Sequence, residues 1–391
     1  MVAAQTSIGL VDGAQGKLVF RGYAARELAL HRTFEDAAHL LWYGELPGAA
    51  QLERLRGQLA AARRLTPELR RLLDALPPEA PLMNAMAAAV AATFGAEAAW
   101  PPTAEQAIRL TGMLPVIIAY RYRRLAGLPW VEPAGEAEAA RSAGAAGEAE
   151  VARSVGAAGE AEAARSAGAA GEAEGHVAAY LRLLFGREPE PAHVRAMSAY
   201  MILAMEHGLN ASTFAARVVA STESDLHSAV AAAIGAMKGP LHGGAPSGVI
   251  ALLEAIGAKE RAEPVLRAML ERGGRLMGFG HRVYKTHDPR AEALREVVAG
   301  VAGDDPWLDL ARHAEEAAIR LLAEYKPGRR LYTNVEFYAA AVMRAVAMPA
   351  ELFTPTFSAA RVVGWTAHVL EQAANNRIFR PQSVYVGPLP E

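Results

Sequence analysis

Residues 221–256 read STESDLHSAVAAAIGAMKGPLHGGAPSGVIALLEAI, a stretch that predicts two helices joined by a short loop. Thr222 and Asp225 have the spacing of a capping box at the start of the first helix. Gly239 and Pro240 end that helix in the order typical of a helix C-terminus. Its apolar face, at helical spacing, consists of Leu226, Val230, Ile234 and Met237. The pattern therefore predicts helices on both sides of an exposed loop.

The same helical spacing of apolar residues continues through most of the chain. It is seen in residues 34–41, 52–76 and 104–122, with prolines between these segments. Strand signals are nearly confined to the N-terminus, where residues 8–11 and 17–21 flank the turn dipeptide Asp12-Gly13. We therefore predict an all-α protein with a short N-terminal β-hairpin.

The composition is that of a large and nearly neutral protein. The chain has 391 residues, 52% of them hydrophobic, which is enough for a large core and two domains. A formal net charge of −2 excludes a global basic surface for nucleic acid or an acidic membrane. The absence of cysteine excludes disulfides, thiolate catalysis and Cys-based zinc sites, and we predict no metal site. No basic-then-apolar segment begins the chain, so we expect no signal peptide and a cytoplasmic protein.

Residues 135–174 form a low-complexity insert. A twelve-residue unit, GEAEAARSAGAA, begins at Gly135 and repeats with small changes from Gly147 and Gly159. The unit contains no apolar side chain larger than valine, so burial does not offset an ordering entropy of about 1–2 kcal/mol per residue. We predict a flexible or partly helical surface insert, to which we assign no function.

Two histidines stand in glycine-rich loops. His242 lies in GPLHGG, close to the start of the second helix quoted above, and His281 ends the sequence GFGH. Glycine neighbours permit tight turns and the close approach of a ligand, a freedom that a core histidine does not need. Asp288 and Pro289 have the pattern of an N-cap and a first-turn proline, which places Arg290 in the first turn of a helix.

Three further charged residues are candidates for a catalytic or binding site. Glu336 follows TNV at the start of a predicted helix, Arg361 lies on a helix rich in small residues, and Arg380 lies in the C-terminal tail. The ordinary structural explanation of Glu336 is a capping box with Thr333. Arg361 is harder to explain in that way, because a charge on a small-residue helix face is rarely buried without a partner.

Taken together, these motifs resemble the citrate synthase family. The resemblance is carried by EHGLNAS with His207, GPLHGG with His242, GFGH with His281, Arg290 nine residues later, NVEFY with Glu336, Arg361, and Arg380 followed by proline. It implies a two-domain helical homodimer that condenses acetyl-CoA with oxaloacetate and hydrolyses citryl-CoA to citrate and CoA, a step of the tricarboxylic acid cycle. It also implies a large dimerisation domain of residues 1–241 and 337–391 and a small helical domain of residues 242–336.

The resemblance implies a role for each of these residues. Glu336 would remove a proton from the acetyl methyl group, and a neutral His242 would donate a hydrogen bond to the enolate oxygen. We expect the N-terminus of the following helix to lower the pKa of His242. His281 would polarise and protonate the oxaloacetate carbonyl. The substrate-binding residues would be His207, Arg290, Arg361 and Arg380, with Arg380 reaching the partner subunit's site.

A further loop is implied to bind coenzyme A. The nucleotide would lie along Arg275, Leu276, Met277, Gly278 and Phe279, with Lys285 as a weaker candidate for a phosphate contact. The resemblance thus implies acetyl-CoA and oxaloacetate as partners, and no tightly bound cofactor.

One departure leaves two alternatives open. The family usually has aspartate where Glu336 stands, and an extra methylene shifts a carboxylate by about 1 Å, which can change a rate by about 10²-fold. The same residues would also serve a 2-methylcitrate synthase that takes propionyl-CoA. The glutamate also favours, as a second alternative, a catalytically weak dimeric paralogue.

Overall fold

The computed structural model describes residues 3–92, 98–133, 174–243, 246–281, 283–301, 305–329 and 331–389. Within these residues the chain forms sixteen α-helices and one small three-stranded sheet, which confirms the predicted all-α class. The predicted repeat insert lies outside the described residues, apart from Glu174. In the described part of the chain, no helix is long and apolar enough to cross a bilayer.

The helices are numbered here in chain order. The first eight are α1 (Ala25–His31), α2 (Phe34–Tyr43), α3 (Ala49–Ala62), α4 (Pro67–Ala75), α5 (Leu82–Ala91), α6 (Ala104–Leu125), α7 (His176–Phe185) and α8 (Pro191–Met205). The others are α9 (Ala211–Ser221), α10 (Leu226–Met237), α11 (Pro246–Ile256), α12 (Ala262–Glu271), α13 (Pro289–Val301), α14 (Pro306–Tyr325), α15 (Val335–Ala345) and α16 (Phe353–Ala374). Single 3₁₀ turns, Lys259–Arg261 and Ala350–Leu352, precede α12 and α16.

The sheet contains the predicted N-terminal hairpin. Strand β1 (Gly9–Asp12) pairs antiparallel with β2 (Lys17–Phe20), and a two-residue strand β3 (Tyr23–Ala24) pairs with the other edge of β2. Asp12 closes the turn because its side chain accepts two backbone N–H groups of the turn residues at 2.9 Å.

The tip of this hairpin reaches the loop that follows His281. The backbone N–H of Lys285 donates to the Gly13 carbonyl at 2.8 Å. A Cβ atom at Gly13 would stand 2.2 Å from the Val283 carbonyl oxygen, so only glycine permits this approach. The hairpin is therefore a support for the loop of one of the two candidate histidines.

Helix starts follow the local capping residues, with one correction. Asp225 caps α10 by accepting the Ser228 N–H at 2.8 Å. The Thr222 hydroxyl instead donates to the Val219 carbonyl at 2.7 Å, at the end of α9. The predicted capping box of Thr222 with Asp225 is therefore wrong, because α9 extends to Ser221 and its last turn already uses Thr222.

Helix α16 is the centre of the core. It packs against α2, α6, α8, α9 and α10, and its side chains from Phe353 to Val369 are almost all buried. Burial of each large apolar side chain on it contributes about 1.5–3 kcal/mol of hydrophobic free energy. Arg361 lies in the middle of this helix with only 2% of its surface exposed.

The helices that carry the other candidate residues surround this core. Helix α13, which begins with Pro289 and Arg290 as predicted, packs against α1, α8 and α15. Helix α15 also contacts α8 and α11, and it runs without a break through residue 336, the predicted end of the small domain. The division into residues 242–336 and the remainder stays a prediction.

Candidate active site

Six of the seven predicted catalytic and substrate-binding residues meet in one region between α8, α13, α15 and α16. A small internal cavity there is lined by Tyr200, Ala204, Gly243, Arg290, Val335, Glu336, Phe353 and Phe357. Gly243 follows His242 directly in the chain, and Arg290 contacts His281. The His207 ring lies 5.6 Å from the His281 ring, and the Arg361 guanidinium acts electrostatically on His207, His242 and Glu336.

Glu336 does not form the predicted capping box. The N-cap of α15 is Asn334, whose side chain accepts the Glu336 N–H at 3.1 Å, and the Thr333 hydroxyl donates to Glu315 at 2.5 Å. Among the described residues, no group donates a hydrogen bond to the Glu336 carboxyl group. Protein atoms surround this carboxyl group, although the residue as a whole keeps part of its surface exposed.

The surroundings of Glu336 make its carboxyl group a stronger base. Burial raises its pKa to about 7, and the nearby Asp288 carboxylate acts in the same direction. The Arg290 and Arg361 guanidinium groups act against this shift. A carboxylate with a pKa near 7 suits general base catalysis at neutral pH.

His281 Nε2 and Arg290 Nη2 face each other across a short distance. The His281 Nδ1 atom accepts the backbone N–H groups of Val283 and Tyr284, both at 3.0 Å, so its proton resides on Nε2. The Arg290 Nη2 atom lies 3.1 Å from that Nε2. Burial and Arg290 lower the His281 pKa to about 4, which keeps the ring neutral. An oxygen acceptor placed beside both donors would satisfy them together.

Asp288 holds Arg290 in this orientation. Its carboxylate accepts the Arg290 Nε at 3.0 Å and Nη2 at 2.8 Å, and it also accepts the Val335 N–H at 3.1 Å. This paired geometry is the strong form of an arginine–carboxylate contact. The sequence identified Asp288 only as an N-cap, and nothing in its local pattern indicates the contact with Val335, 47 residues away.

His242 is held as a neutral ring against Ser212. Its Nε2 atom accepts the backbone N–H of Ser212 at 3.3 Å and lies 2.8 Å from the Ser212 hydroxyl. Acceptance at Nε2 leaves the proton on Nδ1. Burial, and then the Arg361 guanidinium, lower the pKa of His242; an effect of the N-terminus of α11 stays a prediction.

His207 lies beside His281 and is half-buried. Its Nε2 atom is 3.2 Å from the Tyr284 hydroxyl. Burial, Arg290 and Arg361 hold the pKa of His207 well below its ordinary value. The loop of His207 is fixed by the preceding Glu206, which is fully buried and bonds His368 at 3.1 Å.

Arg361 is a buried cation that the Glu206 and Glu336 carboxylates attract without contacting it as an ion pair. Its Nε donates to the Ala204 carbonyl at 2.5 Å, and its guanidinium stacks 4.8 Å from the Phe357 ring centre. In the region that the structure describes, no carboxylate forms an ion pair with it. Burial lowers the Arg361 pKa to about 10, which still leaves the group charged at neutral pH. Such a charge is stabilised when an anionic ligand binds.

The remaining predicted residues lie away from this centre. Arg380 is exposed in the C-terminal tail, where its contact within the chain is a 3.4 Å hydrogen bond to the Pro381 carbonyl. Leu276 and Phe279 are buried in the core, whereas Arg275 and Lys285 are exposed. Gly278 has a φ of +88° and joins this loop to α15 by accepting the Asn334 N–H at 2.9 Å. The role of this loop in binding coenzyme A stays a prediction.

Comparisons with known proteins give the same picture. The family model described as the citrate synthase C-terminal domain matches residues 1–382. The chain is 36% identical to a citrate synthase of Mycolicibacterium smegmatis, over 99% of this chain and 93% of that protein.

The chain belongs to the citrate synthase family.

Two further members of the family bear on the substrate. The chain is 35% identical to a 2-methylcitrate synthase of Shewanella oneidensis, over 99% of this chain and 93% of that protein. A citrate synthase from Thermoplasma acidophilum, solved as a ternary complex with carboxymethyl coenzyme A and oxaloacetate, superposes with a TM-score of 0.80. That structure is 26% identical, and the match covers 99% of this chain and 94% of the other.

Membership in the citrate synthase family makes the protein an acyltransferase. Enzymes of this family act on CoA-bound substrates and need no tightly bound cofactor. In the described residues, no group of three or more histidine, aspartate or glutamate side chains is arranged to hold a metal ion.

The pKa of Glu336 predicts how turnover depends on pH. We expect Glu336 to act as the base in its ionised form, and its pKa is raised to about 7. We therefore expect kcat/KM to fall nearly tenfold for each pH unit below about 7, because the fraction of ionised Glu336 in the free enzyme falls in that proportion. A pH series of kcat/KM measures this; a kcat/KM that stays constant from pH 8 down to pH 5.5 contradicts it.

Proposed function

We propose that the protein is a citrate synthase in the narrow sense. It condenses acetyl-CoA with oxaloacetate and hydrolyses the resulting citryl-CoA to citrate and CoA. The observation that carries this proposal is the grouping of His281 and Arg290, in contact with each other, with the buried Arg361 and the basic carboxylate of Glu336.

Oxaloacetate fits the cationic part of the site. Its carbonyl oxygen would accept the Nε2–H of His281, and its carboxylates would be held by Arg290 and Arg361. His207 would add a neutral donor or acceptor next to His281. The neutral imidazoles add no charge of their own, so the guanidinium groups account for recognition of the dianion.

Carbon–carbon bond formation then follows from the positions of the other two groups. Glu336 removes a proton from the acetyl methyl group, and the Nδ1–H of His242 donates to the enolate oxygen. The enolate carbon attacks the oxaloacetate carbonyl carbon, whose oxygen takes the proton from His281, and His281 regains a proton from water. Water then attacks the citryl thioester carbon, CoA leaves as the thiol with one of the water protons, and the other water proton and the proton on Glu336 are released to solvent.

The crowded surroundings of Glu336 favour an acetyl over a propionyl group. Three aromatic side chains, Tyr200, Phe353 and Phe357, line the cavity beside it. An acetyl group needs less room among these rings than a propionyl group. The competing candidate is 2-methylcitrate synthase, favoured by the 35% identical relative of that name.

A thiol-release assay with acetyl-CoA and propionyl-CoA separates these activities. With oxaloacetate present, we expect kcat/KM to be higher for acetyl-CoA by roughly 10-fold to 200-fold, the usual discrimination for one methylene. A preference for propionyl-CoA overturns the assignment in favour of 2-methylcitrate synthase. The absence of CoA release with either thioester, from folded protein, identifies a catalytically inactive paralogue.

A homodimer is the second part of the proposal. The C-terminal tail carries exposed apolar side chains, among them Ile378 at 58%, Val384 at 88% and Val386 at 93% of their surface. Apolar groups in such numbers favour a covered position against a partner. The same tail carries Arg380, which would then complete the partner subunit's oxaloacetate site.

Subunit mixing tests the role of Arg380. We expect Glu336→Gln and Arg380→Ala proteins to be nearly inactive as separate dimers. A mixed dimer contains one site with Glu336 from one subunit and Arg380 from the other, so unfolding and refolding the two together restores about a quarter of the wild-type activity. If the mixture, verified to contain mixed dimers, stays inactive, Arg380 serves its own subunit or none.

A further inference from the structure

A second buried carboxylate, Glu315 on α14, holds the start of the helix that carries Glu336. It accepts hydrogen bonds of 2.5 Å from each of three side chains, the Thr333 hydroxyl, the Tyr338 hydroxyl and the Arg295 guanidinium. Only 5% of the Glu315 surface is exposed. These donors come from three segments, namely α13, α15 and the turn before α15.

The two donors on or next to α15 flank Glu336 in the sequence. Thr333 precedes it by three residues and Tyr338 follows it by two. Because successive helical residues turn by about 100°, Tyr338 projects to the side of α15 opposite Glu336. Glu315 therefore holds the first turn of α15 on the side opposite Glu336. Glu336 itself faces the small cavity described above.

The other anchors of this turn all come from the site itself. The backbone N–H of Asn334 donates to Gly278, its side chain donates to Gly280, and the N–H of Val335 donates to Asp288. Each of these acceptors lies in a loop close to His281. Glu315 is thus the side chain by which a helix outside the site holds this turn.

We propose that Glu315, through Thr333 and Tyr338, is a positioning residue that sets the direction of the Glu336 carboxylate. This inference rests on the proposed role of Glu336 as the catalytic base. It also gives a reason why a glutamate, longer by one methylene than the usual aspartate, can serve here, since its helix turn is held rigidly on the far side. A displacement of about 1 Å at a reacting group can lower a rate by about 10²-fold.

The test uses variants that remove one hydroxyl each. Thr333→Val keeps the shape and β-branching of the side chain, and Tyr338→Phe keeps the ring, which is buried. We expect each change to lower kcat by about 10-fold, with the KM for oxaloacetate changed less than twofold, because Arg290 and Arg361 have no contact with Glu315. Thr333→Ser keeps the donor and should restore most of the kcat.

The pH profile adds a readout that a general loss of stability would not move. The groups that face Glu336 are Asp288, Arg290, Tyr200 and Arg361. Without the Thr333 hydroxyl, the Glu336 carboxylate can move away from its packed position. It is then less desolvated or lies nearer a guanidinium, and both changes lower its pKa. We expect the acidic limb of kcat in Thr333→Val to move to lower pH.

Tyr325→Phe is the matched control. Tyr325, at the end of the same helix α14, also bonds a glutamate and an arginine, Glu271 at 3.2 Å and Arg267 at 3.4 Å, but far from the site. The kcat and the pH profile of the Tyr325→Phe protein should equal those of the wild type. Because Thr333 and Tyr338 act through one carboxylate, the double variant should lose less than the product of the two single losses.

Two outcomes overturn the inference. Thr333→Val and Tyr338→Phe proteins with wild-type kcat and an unmoved acidic limb would show that Glu315 has only a structural role. Losses that multiply fully in the double variant would show that the two residues act independently. The proposed function fails separately, if Glu336→Gln keeps its activity.

Discussion

Glu336→Gln should leave a folded protein whose kcat is lower by at least roughly 10²–10⁴-fold, the contribution of a general base. The amide keeps the size of the side chain but is unable to take a proton from the acetyl methyl group. The KM for oxaloacetate should change little, because Arg290, Arg361 and His281 are untouched. Steady-state thiol release at saturating substrates measures the loss.

The stability of the Glu336→Gln protein is part of the same expectation. Burial raises the pKa of Glu336 to about 7, so above its ordinary pKa the ionised group destabilises the folded state. The neutral amide removes that effect, and the thermal midpoint at pH 8 should be equal or higher. Glu260→Gln, at an exposed position, is the control for charge removal. A Glu336→Gln enzyme that retains its turnover would place the base elsewhere.

Arg361→Leu should raise the KM for oxaloacetate by roughly 30-fold to 4,000-fold. Truncating one partner of a buried hydrogen-bonded charge pair removes about 2–5 kcal/mol of binding free energy, and a factor of ten corresponds to about 1.4 kcal/mol. Arg361 forms no ion pair among the described residues, so we expect most of the loss to fall on binding rather than on folding. Calorimetric titration with oxaloacetate measures it directly.

Arg217 is the matched control, because it is an equally buried arginine with internal partners. Its guanidinium bonds Glu371 at 2.8 Å, His368 at 2.9 Å and Gln372 at 3.0 Å. Arg217→Leu should destabilise the fold by about 1–3 kcal/mol, since it leaves the half-buried Glu371 carboxylate and two buried polar groups without their donor, while the oxaloacetate KM of the folded fraction stays unchanged. Equal effects of the two substitutions on KM and on thermal midpoint would contradict this division of roles.

Features set by neighbouring residues could be predicted from the sequence. The hairpin turn at Asp12, the start of α13 at Pro289 and the glycine-rich loop of His281 each follow from a few adjacent residues. Gly278 and Gly280 have φ values of +88° and +82°, a conformation that favours glycine. The family resemblance then supplied the six residues that the structure brings together.

Features set by distant residues could not be predicted in this way. The choice of Asn334 over Thr333 as the N-cap of α15 depends on Glu315, which takes the Thr333 hydroxyl from another helix. The low pKa of His242 depends first on its burial, which a loop sequence rich in glycine does not indicate. The sequence immediately around a residue does not indicate which distant residues will contact it.

The contact between the N-terminal hairpin and the loop after His281 has a practical consequence. Gly13 and Lys285 are joined by a backbone hydrogen bond although 272 residues separate them. The N-terminal hairpin thus supports the loop that follows His281 from the far end of the chain. Removing the hairpin should leave most of the helices folded but free this loop, so that the loss would fall on turnover rather than on the circular-dichroism spectrum.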